Sequence, residues 1–257
     1  MTFSFYFDLK MAIKTTFNYS PNFNSLRRTK KQINYVIIHY TGMKRESLAI
    51  KRLTNIQSEV SSHYLIKNNG DILTLVPDLY VAWHAGKSNW KNFKSLNDSS
   101  IGIEISNPGH KFNYKYFNSK QIKSLIKIID FLKKKYKIKK KNILGHSDIA
   151  PDRKKDPGEK FPWKYLAKKN IGFWHDLKNQ ILIESRNKKV DSHIKKQFFK
   201  YINKIGYSKK IENNFSKRKN NDFIIKAFQR RFRQELINGK IDKECFLISK
   251  NLSNLIK

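Results

Sequence analysis

The chain has 257 residues, 39% of them hydrophobic, which is enough to bury the core of one large domain or of two smaller ones. Its 54 Lys and Arg outnumber its 20 Asp and Glu, and the net charge of +34 draws it toward polyanions such as nucleic acid, acidic lipid or an anionic cell wall. A compositional bias toward Lys, Asn and Ile would give the same charge, so charge alone selects no function. The single cysteine, Cys245, excludes an intrachain disulfide, and no apolar run approaches the roughly 20 residues of a membrane span.

The first ten residues, MTFSFYFDLK, are apolar but short. They lack a basic n-region and a small-residue cleavage site, so they make a poor signal peptide, and Met11 is an alternative start. We therefore expect a bacterial cytoplasmic location, with the periplasm or cell envelope as the alternative. Residues 1–30 show no clear period and are expected to form an N-terminal extension, either a tail or a wrapping segment.

Short apolar runs predict the first strands and helix. Residues 33–38, INYVII, form a β-branched run that predicts a buried strand ending at His39. Residues 47–56 predict a short helix with Ser47 as its N-cap. Two apolar stretches flank Asn69-Gly70, a pair that tolerates positive φ, so a β-hairpin is expected there.

The pattern continues with two more strands around a long helix. The run IGIEI predicts a strand with Gly102 and Glu104 on one face, and the run NILG predicts another strand. The helix between them should begin after Asn118, with lysines covering its outer face. Its predicted apolar stripe consists of Ile122, Leu125, Ile126, Ile129, Leu132 and Tyr136. This alternation predicts an α/β fold, with a central mixed β-sheet flanked by helices.

The composition changes after Trp174. Residues 180–221 are polar and rich in lysine, with a weak helix expected near 192–204. A helix with Phe228 and Phe232 four residues apart follows, then the turn NGKID and a further helix. These elements predict a small helical module appended to the main domain.

Three residues of types that bind zinc stand at or after predicted strand ends. His39 and His146 each follow a strand, and Asp156 lies in a loop flanked by prolines. Two imidazoles and one carboxylate suit a catalytic zinc ion and leave its fourth position open. From spacing alone the alternatives stay open: His39 could be a hydrogen-bonded strand-end residue, and Asp156 a turn residue before proline.

Two further residues have the chemistry of an acid–base site. Glu104 lies in an apolar strand, where burial would raise its pKa toward that of a group able to transfer protons near neutrality. Lys154 is close to Asp156 in sequence, and its ammonium could stabilise an oxyanion. The alternatives are a solvated strand face for Glu104 and one more exposed lysine for Lys154.

Five motifs occur in an order and spacing typical of one family: VIIHYTG, SSHYLI, VAWHAG, IGIEISN and GHSDIAPDRKKDPGEKFPW. Together they resemble the type 2 N-acetylmuramoyl-L-alanine amidases, which share their fold with peptidoglycan recognition proteins. The resemblance covers about residues 20–176 and is greatest to the bacterial subgroup with a His, His, Asp zinc site. The positive charge is where this chain departs from that subgroup.

The resemblance assigns roles to individual residues. His39, His146 and Asp156 match the ligands of one catalytic Zn²⁺, Glu104 matches the catalytic glutamate, and Lys154 matches the lysine that steadies the oxyanion. The positions that match residues near the substrate groove are His63, Trp83, His84, Ala85 and Gly86. For His63, a packing role is an equal alternative.

The C-terminal AFQRRFR and NGKID resemble the peptidoglycan-binding domain type 1, a small three-helix module. Phe228 and Phe232 are expected to pack in its core. The predicted organisation is therefore an N-terminal extension (1–30), a zinc amidase domain (31–180) and a helical peptidoglycan-binding-like module (190–257).

The resemblance implies a zinc-dependent amidase that hydrolyses the bond between N-acetylmuramic acid and L-alanine of peptidoglycan or muropeptides. A non-catalytic peptidoglycan-binding protein on the same fold is the alternative, although that class would have a broken ligand triad. The lysines are scattered rather than interleaved with aromatics on one face, so no specific nucleic-acid partner is expected. Whether intact wall or recycled fragments are the substrate stays open.

Overall fold

Strands and helices alternate in the computed structural model, which describes residues 13–208 and 222–256. The strands are β1 (Thr16–Phe17), β2 (Phe23–Asn24), β3 (Tyr35–Tyr40), β4 (Tyr64–Ile66), β5 (Ile72–Thr74), β6 (Val81–Ala82), β7 (Asn89–Trp90), β8 (Phe93–Lys94), β9 (Ser100–Ile105) and β10 (Ile143–Gly145). The α-helices are α1 (Glu46–Thr54), α2 (Ser119–Tyr136), α3 (His146–Ile149), α4 (Trp163–Lys168), α5 (Asn179–Ser185), α6 (Ser192–Ile205), α7 (Asp222–Phe232) and α8 (Lys243–Leu255). None of the helices within these described ranges is long and apolar enough to cross a membrane.

The central sheet has six strands in the order β1-β5-β4-β9-β3-β10. Strand β3 pairs in parallel with β9 and β10, β9 pairs in parallel with β4, and β4 pairs antiparallel with β5. The predicted mixed sheet and the predicted hairpin are thus confirmed. In the β3–β9 register His39 lies beside Glu104, so two candidate site residues occupy neighbouring strands.

The long helix α2 covers one face of the sheet. Its N-terminus has the predicted capping box, in which the Asn118 side chain accepts from Gln121 N at 3.0 Å and Gln121 Oε1 accepts from Asn118 N at 3.1 Å. The predicted apolar stripe is buried except at Ile126, which is half-buried, while Ile128 is buried although the prediction omitted it. The helix face toward the sheet is therefore wider than the predicted stripe.

The predicted start of α1 is wrong. Arg45, not Ser47, holds the extended N-cap conformation, with φ −127° and ψ 140°, and its side chain makes no capping hydrogen bond. Glu46 in the first turn instead accepts a hydrogen bond from Asn68 N at 2.6 Å. This contact between distant segments fixes the helix start, and local sequence does not reveal it.

The N-terminal region wraps around the sheet over the residues that the structure describes. Strand β1 pairs with β5 at the sheet edge, and β2 pairs with β6. Ser20 Oγ donates to Leu53 O at 2.5 Å, and Arg28 Nε donates to Asp78 O at 3.1 Å. Of the predicted extension, residues 13–30 thus form a wrapping segment, and residues 1–12 lie outside the described ranges.

The C-terminal helices pack on the face of the sheet opposite α2. One continuous hydrophobic cluster joins Ile37 of β3 and Leu144 of β10 to Phe228 and Phe232 of α7. The predicted helices near 192–204 and around Phe228 correspond to α6 and α7, whereas α5 was not predicted. The apolar side chains Ile181 and Ile183 of α5 are exposed, so its pattern does not mark a buried face. The C-terminal helices and the sheet therefore share one core.

Candidate metal centre

Three side chains converge at the C-terminal ends of the parallel strands. His39 lies near the end of β3, His146 begins α3 directly after β10, and Asp156 lies in the loop that follows α3. His39 Nδ1 is 2.8 Å from His146 Nδ1 and 3.1 Å from Asp156 Oδ2, and His146 Nδ1 is 3.0 Å from the same oxygen. All three residues are buried. The structure thus brings together the three residues that the sequence predicted as ligands.

These atoms fit a small cation. Bonds of about 2.0–2.1 Å to a tetrahedral zinc ion place neighbouring ligand atoms roughly 3.3 Å apart, close to the separations found here. Two facing imidazole nitrogens can form a hydrogen bond only if one of them is protonated, whereas a cation accepts the lone pairs of both. The donor set of two imidazoles and one carboxylate also suits zinc.

Hydrogen bonds behind the candidate ligands select the tautomer that a metal would require. His146 Nε2 lies 3.1 Å from Ala85 O, a group that can only accept, so this nitrogen carries the proton and Nδ1 keeps a lone pair. Burial and the neighbouring His146 lower the pKa of His39 to about 4, which favours its neutral form near pH 7.

A longer chain of hydrogen bonds orients His39. Ser100 Oγ donates to Leu96 O at 2.5 Å and therefore accepts from His84 Nε2 at 3.2 Å. His84 Nδ1 then accepts from His39 Nε2 at 3.0 Å, which leaves His39 Nδ1 unprotonated and directed at the centre. His84 thus holds the candidate ligand His39 in place, through a contact that its sequence position did not reveal.

Asp156 is held as a carboxylate. Burial alone would raise its pKa, but in the metal-free protein a proton shared with the imidazoles of His146 and His39 outweighs burial and lowers it well below the usual range. A cation at the centre would replace that proton and favour the same carboxylate form. The ligand set therefore carries a negative charge that favours a cation.

Glu104 faces the same centre without a hydrogen-bond partner on one oxygen. Its Oε2 is buried and unpaired among the described residues, while part of the side chain reaches a cavity of about 550 Å³. Burial, followed by the charge of Asp156, raises the pKa of Glu104 to about 8, although Lys154 and Arg52 oppose the rise. A carboxyl group of this kind can gain and lose a proton near neutral pH.

The cavity that contains Glu104 is lined by cations. Lys154 lies on its wall, half-buried, at the end of the turn that follows α3. Further basic side chains on the lining are Arg52, Lys111, Arg153 and Lys155. Arg52, which lies on α1, was not predicted at the site because nothing in its local sequence distinguishes it from other exposed cations.

The five predicted substrate contacts occupy different environments. His84 lies on the lining of the cavity that contains Glu104. His63 is fully buried, with Nδ1 accepting from Gly102 N at 3.0 Å, and Trp83 Nε1 donates to Asn24 Oδ1 at 2.7 Å. Ala85 O accepts from His146 and Arg153, and Gly86 has a φ of 56°. Their roles in substrate binding stay predictions.

Comparison with known sequences gives one consistent family. A family profile described as N-acetylmuramoyl-L-alanine amidase matches residues 29–159. The chain is 36% identical over 236 residues to N-acetylmuramoyl-L-alanine amidase AmiD of Escherichia coli, an alignment that covers 86% of this chain and 82% of AmiD. It is 34% identical over 167 residues to 1,6-anhydro-N-acetylmuramyl-L-alanine amidase AmpD of Haemophilus influenzae, covering 58% of this chain and 88% of AmpD.

Comparison with solved structures gives the same family as the sequence comparison. E. coli AmiD in complex with the substrate anhydro-N-acetylmuramic acid-L-Ala-D-γ-Glu-L-Lys superposes with a TM-score of 0.77 at 35% identity, covering 90% of this chain and 93% of that one. AmpDh3 of Pseudomonas aeruginosa superposes with a TM-score of 0.75 at 30% identity, covering 90% and 96%. The similarity to both structures extends well beyond residues 29–159.

Proposed function

The chain belongs to the family of N-acetylmuramoyl-L-alanine amidases, and we propose that it hydrolyses the amide bond between N-acetylmuramic acid and L-alanine in peptidoglycan or muropeptides. One observation carries the proposal: Glu104 lies unpaired in a basic cavity beside the convergent His39, His146 and Asp156. A non-catalytic binding protein would need neither the intact ligand set nor a buried carboxyl group with a raised pKa.

We assign zinc to the centre, held by His39, His146 and Asp156. A zinc ion there supplies Lewis acidity to the reaction. Glu104 takes a proton from the attacking water and returns it to the nitrogen of the leaving L-alanine. Burial raises the pKa of Glu104 in the metal-free protein, and a neighbouring Zn²⁺ would lower it again, so that the carboxylate needed as base would be available near neutral pH.

Lys154 acts on the charge that develops during attack. Its ammonium group, on the cavity wall, donates to the oxygen of the scissile carbonyl as that oxygen becomes negative. Arg52 and Lys155 lie on the same cavity and favour an anionic substrate such as a stem peptide with free carboxylates.

Mass spectrometry of muropeptide digestion tests the proposal. The substrate would be anhydro-N-acetylmuramic acid-L-Ala-D-γ-Glu-L-Lys, the ligand of the E. coli AmiD structure. We expect wild type to release a free peptide beginning at L-alanine, and chelator treatment or Glu104→Ala to abolish release. If zinc-loaded wild type binds this substrate without cleaving it, the non-catalytic alternative is correct.

We further propose that the C-terminal helices α6–α8 contact peptidoglycan, as the resemblance to the peptidoglycan-binding domain type 1 implies. The exposed lysines Lys196 and Lys200 on α6 offer a test surface. In the inactive Glu104→Gln background, charge reversal of both to Glu should reduce pelleting with insoluble peptidoglycan. The matched control reverses Lys123 and Lys127, exposed four residues apart on α2. Equal losses from both pairs would mean that overall charge, and not α6, governs wall binding.

A further inference from the structure

A buried ion pair connects the segment that carries His146 to the C-terminal helices. Arg231 of α7 donates through Nη1 to Asp148 Oδ2, and the two side chains are 2% and 1% exposed. Arg231 Nη2 donates to Ile143 O at 2.9 Å. One guanidinium group therefore contacts residues on both sides of His146, although it is 83 positions away from Asp148 in the sequence.

Asp148, paired with Arg231, also forms hydrogen bonds that hold the backbone on both sides of His146. Its Oδ2 accepts from Gly145 N at 2.8 Å, and its Oδ1 accepts from the Tyr207 hydroxyl at 2.6 Å. Both carboxylate oxygens are thus occupied, and the chain is held immediately before His146 and two residues after it. The direction in which the His146 side chain projects from the backbone depends on this turn.

The guanidinium is itself held in place. It lies 4.2 Å from the ring centroid of Trp163, a buried residue of α4. Its planar group can bond the carboxylate and the Ile143 carbonyl together, which the single ammonium of lysine cannot do in the same plane. The arrangement is rigid because each partner is buried and fixed by further contacts.

We propose that Arg231 is a positioning residue for the metal centre, acting through Asp148 and the 143–148 backbone on His146. The C-terminal helices are then a required part of the catalytic unit and not only a wall-binding module. The inference rests on the zinc site proposed above. Arg231 bonds Asp148 and the backbone beside His146 and does not line the cavity that contains Glu104, so its removal should change metal affinity more than substrate binding.

Arg233 provides a matched control. It is also a buried arginine, 0% exposed, and its Nη1 pairs with Asp242 and lies 3.6 Å from Glu244 Oε2. These partners belong to the C-terminal region, and among the described residues none of the side-chain hydrogen bonds or ion pairs of Arg233 reaches residues 143–148. Arg233→Met should therefore destabilise the helices without displacing His146.

The test measures the zinc dissociation constant by competition with a chromogenic chelator, at a temperature where each variant is folded by circular dichroism. We expect Arg231→Met to weaken zinc binding about 10–100-fold, the effect usual for residues that orient metal ligands, and Arg233→Met to change it less than about threefold. Arg231→Lys should weaken it by an intermediate factor. If Arg231→Met fails to fold, Tyr207→Phe removes one hydrogen bond to Asp148 and should weaken zinc binding severalfold.

The outcomes separate the two proposals. Equal zinc affinity in Arg231→Met and Arg233→Met, or wild-type affinity in Arg231→Lys and Tyr207→Phe, overturns the positioning role while leaving the zinc site intact. Zinc binding by wild type that is unaffected by His39→Ala overturns the site itself. A shift in the visible spectrum of Co²⁺-loaded Arg231→Met, absent in Arg233→Met, supports altered ligand geometry, which a merely structural role would not produce.

Discussion

Replacing Glu104 by glutamine should stabilise the metal-free protein at neutral and alkaline pH. The pKa of this carboxyl group is raised from 4.5 to about 8, chiefly by burial. The folded chain therefore keeps a proton that the unfolded chain releases between these two values. Stability from this group is fully present below pH 4.5 and is lost as pH rises toward 8. Glutamine keeps the shape but does not titrate.

The magnitude follows from the shift. A change of one pKa unit corresponds to 1.36 kcal/mol, so the full shift would be about 5 kcal/mol. Part of the Glu104 side chain reaches the cavity, where solvent screens the charge, so we expect a smaller relative gain of about 2 kcal/mol at pH 8. Below pH 4.5 the carboxyl is protonated in both states, and the two proteins should differ little in free energy of unfolding.

Urea denaturation of chelator-treated protein between pH 4.5 and 9 would measure this difference. The pKa of His39 is lowered to about 4 by burial and by His146, so its stability contribution is lost as pH falls from 6.5 toward 4. This loss is common to both proteins and cancels in their comparison. Glu184→Gln, on the exposed face of α5, controls for loss of a surface carboxylate. A difference between wild type and Glu104→Gln that stays constant from pH 5 to 9 would refute the raised pKa.

Three further substitutions test other parts of the site. Lys154→Met should lower kcat about 10²–10³-fold with zinc content unchanged by metal analysis, whereas Lys155→Met on the same cavity should not. Gly102→Ala should destabilise the fold by about 2 kcal/mol in urea and weaken zinc binding, because a Cβ there would lie 2.5 Å from His84 Cγ; unchanged zinc affinity would contradict the role of His84. Asp78→Ala should destabilise by about 3 kcal/mol, because this buried carboxylate accepts from Tyr64 at 2.5 Å, Tyr136 at 2.6 Å and Lys135 at 2.8 Å.

Asp78 also predicts a pH dependence. Burial alone would raise its pKa, but the hydrogen bonds from Lys135, Tyr136 and Tyr64 outweigh burial and lower it. Its stability contribution is therefore present above the unfolded pKa of 3.8 and is lost as pH falls below that value. The decrease in the free energy of unfolding as pH falls below 3.8 should be smaller in Asp78→Ala than in wild type, as measured by urea denaturation.

The sequence predicts the sheet and the ligand positions because local patterns determine them. The β-branched run before His39 and the strand before His146 place both imidazoles at the same edge of parallel strands. The chain between residues 146 and 156 is short enough to return a carboxylate to that edge. Even so, spacing alone left Asp156 open as a turn residue, and the motif resemblance was needed to predict it as a ligand.

The support behind the ligands could not be predicted because it joins distant segments. His84 was predicted as a substrate contact from its motif, and only the fold reveals its hydrogen bond to His39. The pairing of Asp148 with Arg231 spans 83 positions. The start of α1 depends on Glu46 meeting Asn68, which again is a tertiary contact. Helix and strand periods carry no information on such pairs.

The hydrophobic cluster shared by the sheet and α7 has a consequence for synthesis. Leu144 and Ile149, on either side of His146, are covered by helices that include Phe228 and Phe232. A nascent chain that has been synthesised through His39, His146 and Asp156 still lacks the side chains of α7 and α8 that cover Leu144 and Ile149. We expect the candidate metal ligands of such a nascent chain to be poorly ordered while this face is uncovered. The chain should become active only when residues 222–256 have emerged from the ribosome and packed on the sheet. Amidase activity would then be detectable only in chains whose synthesis has continued beyond α8.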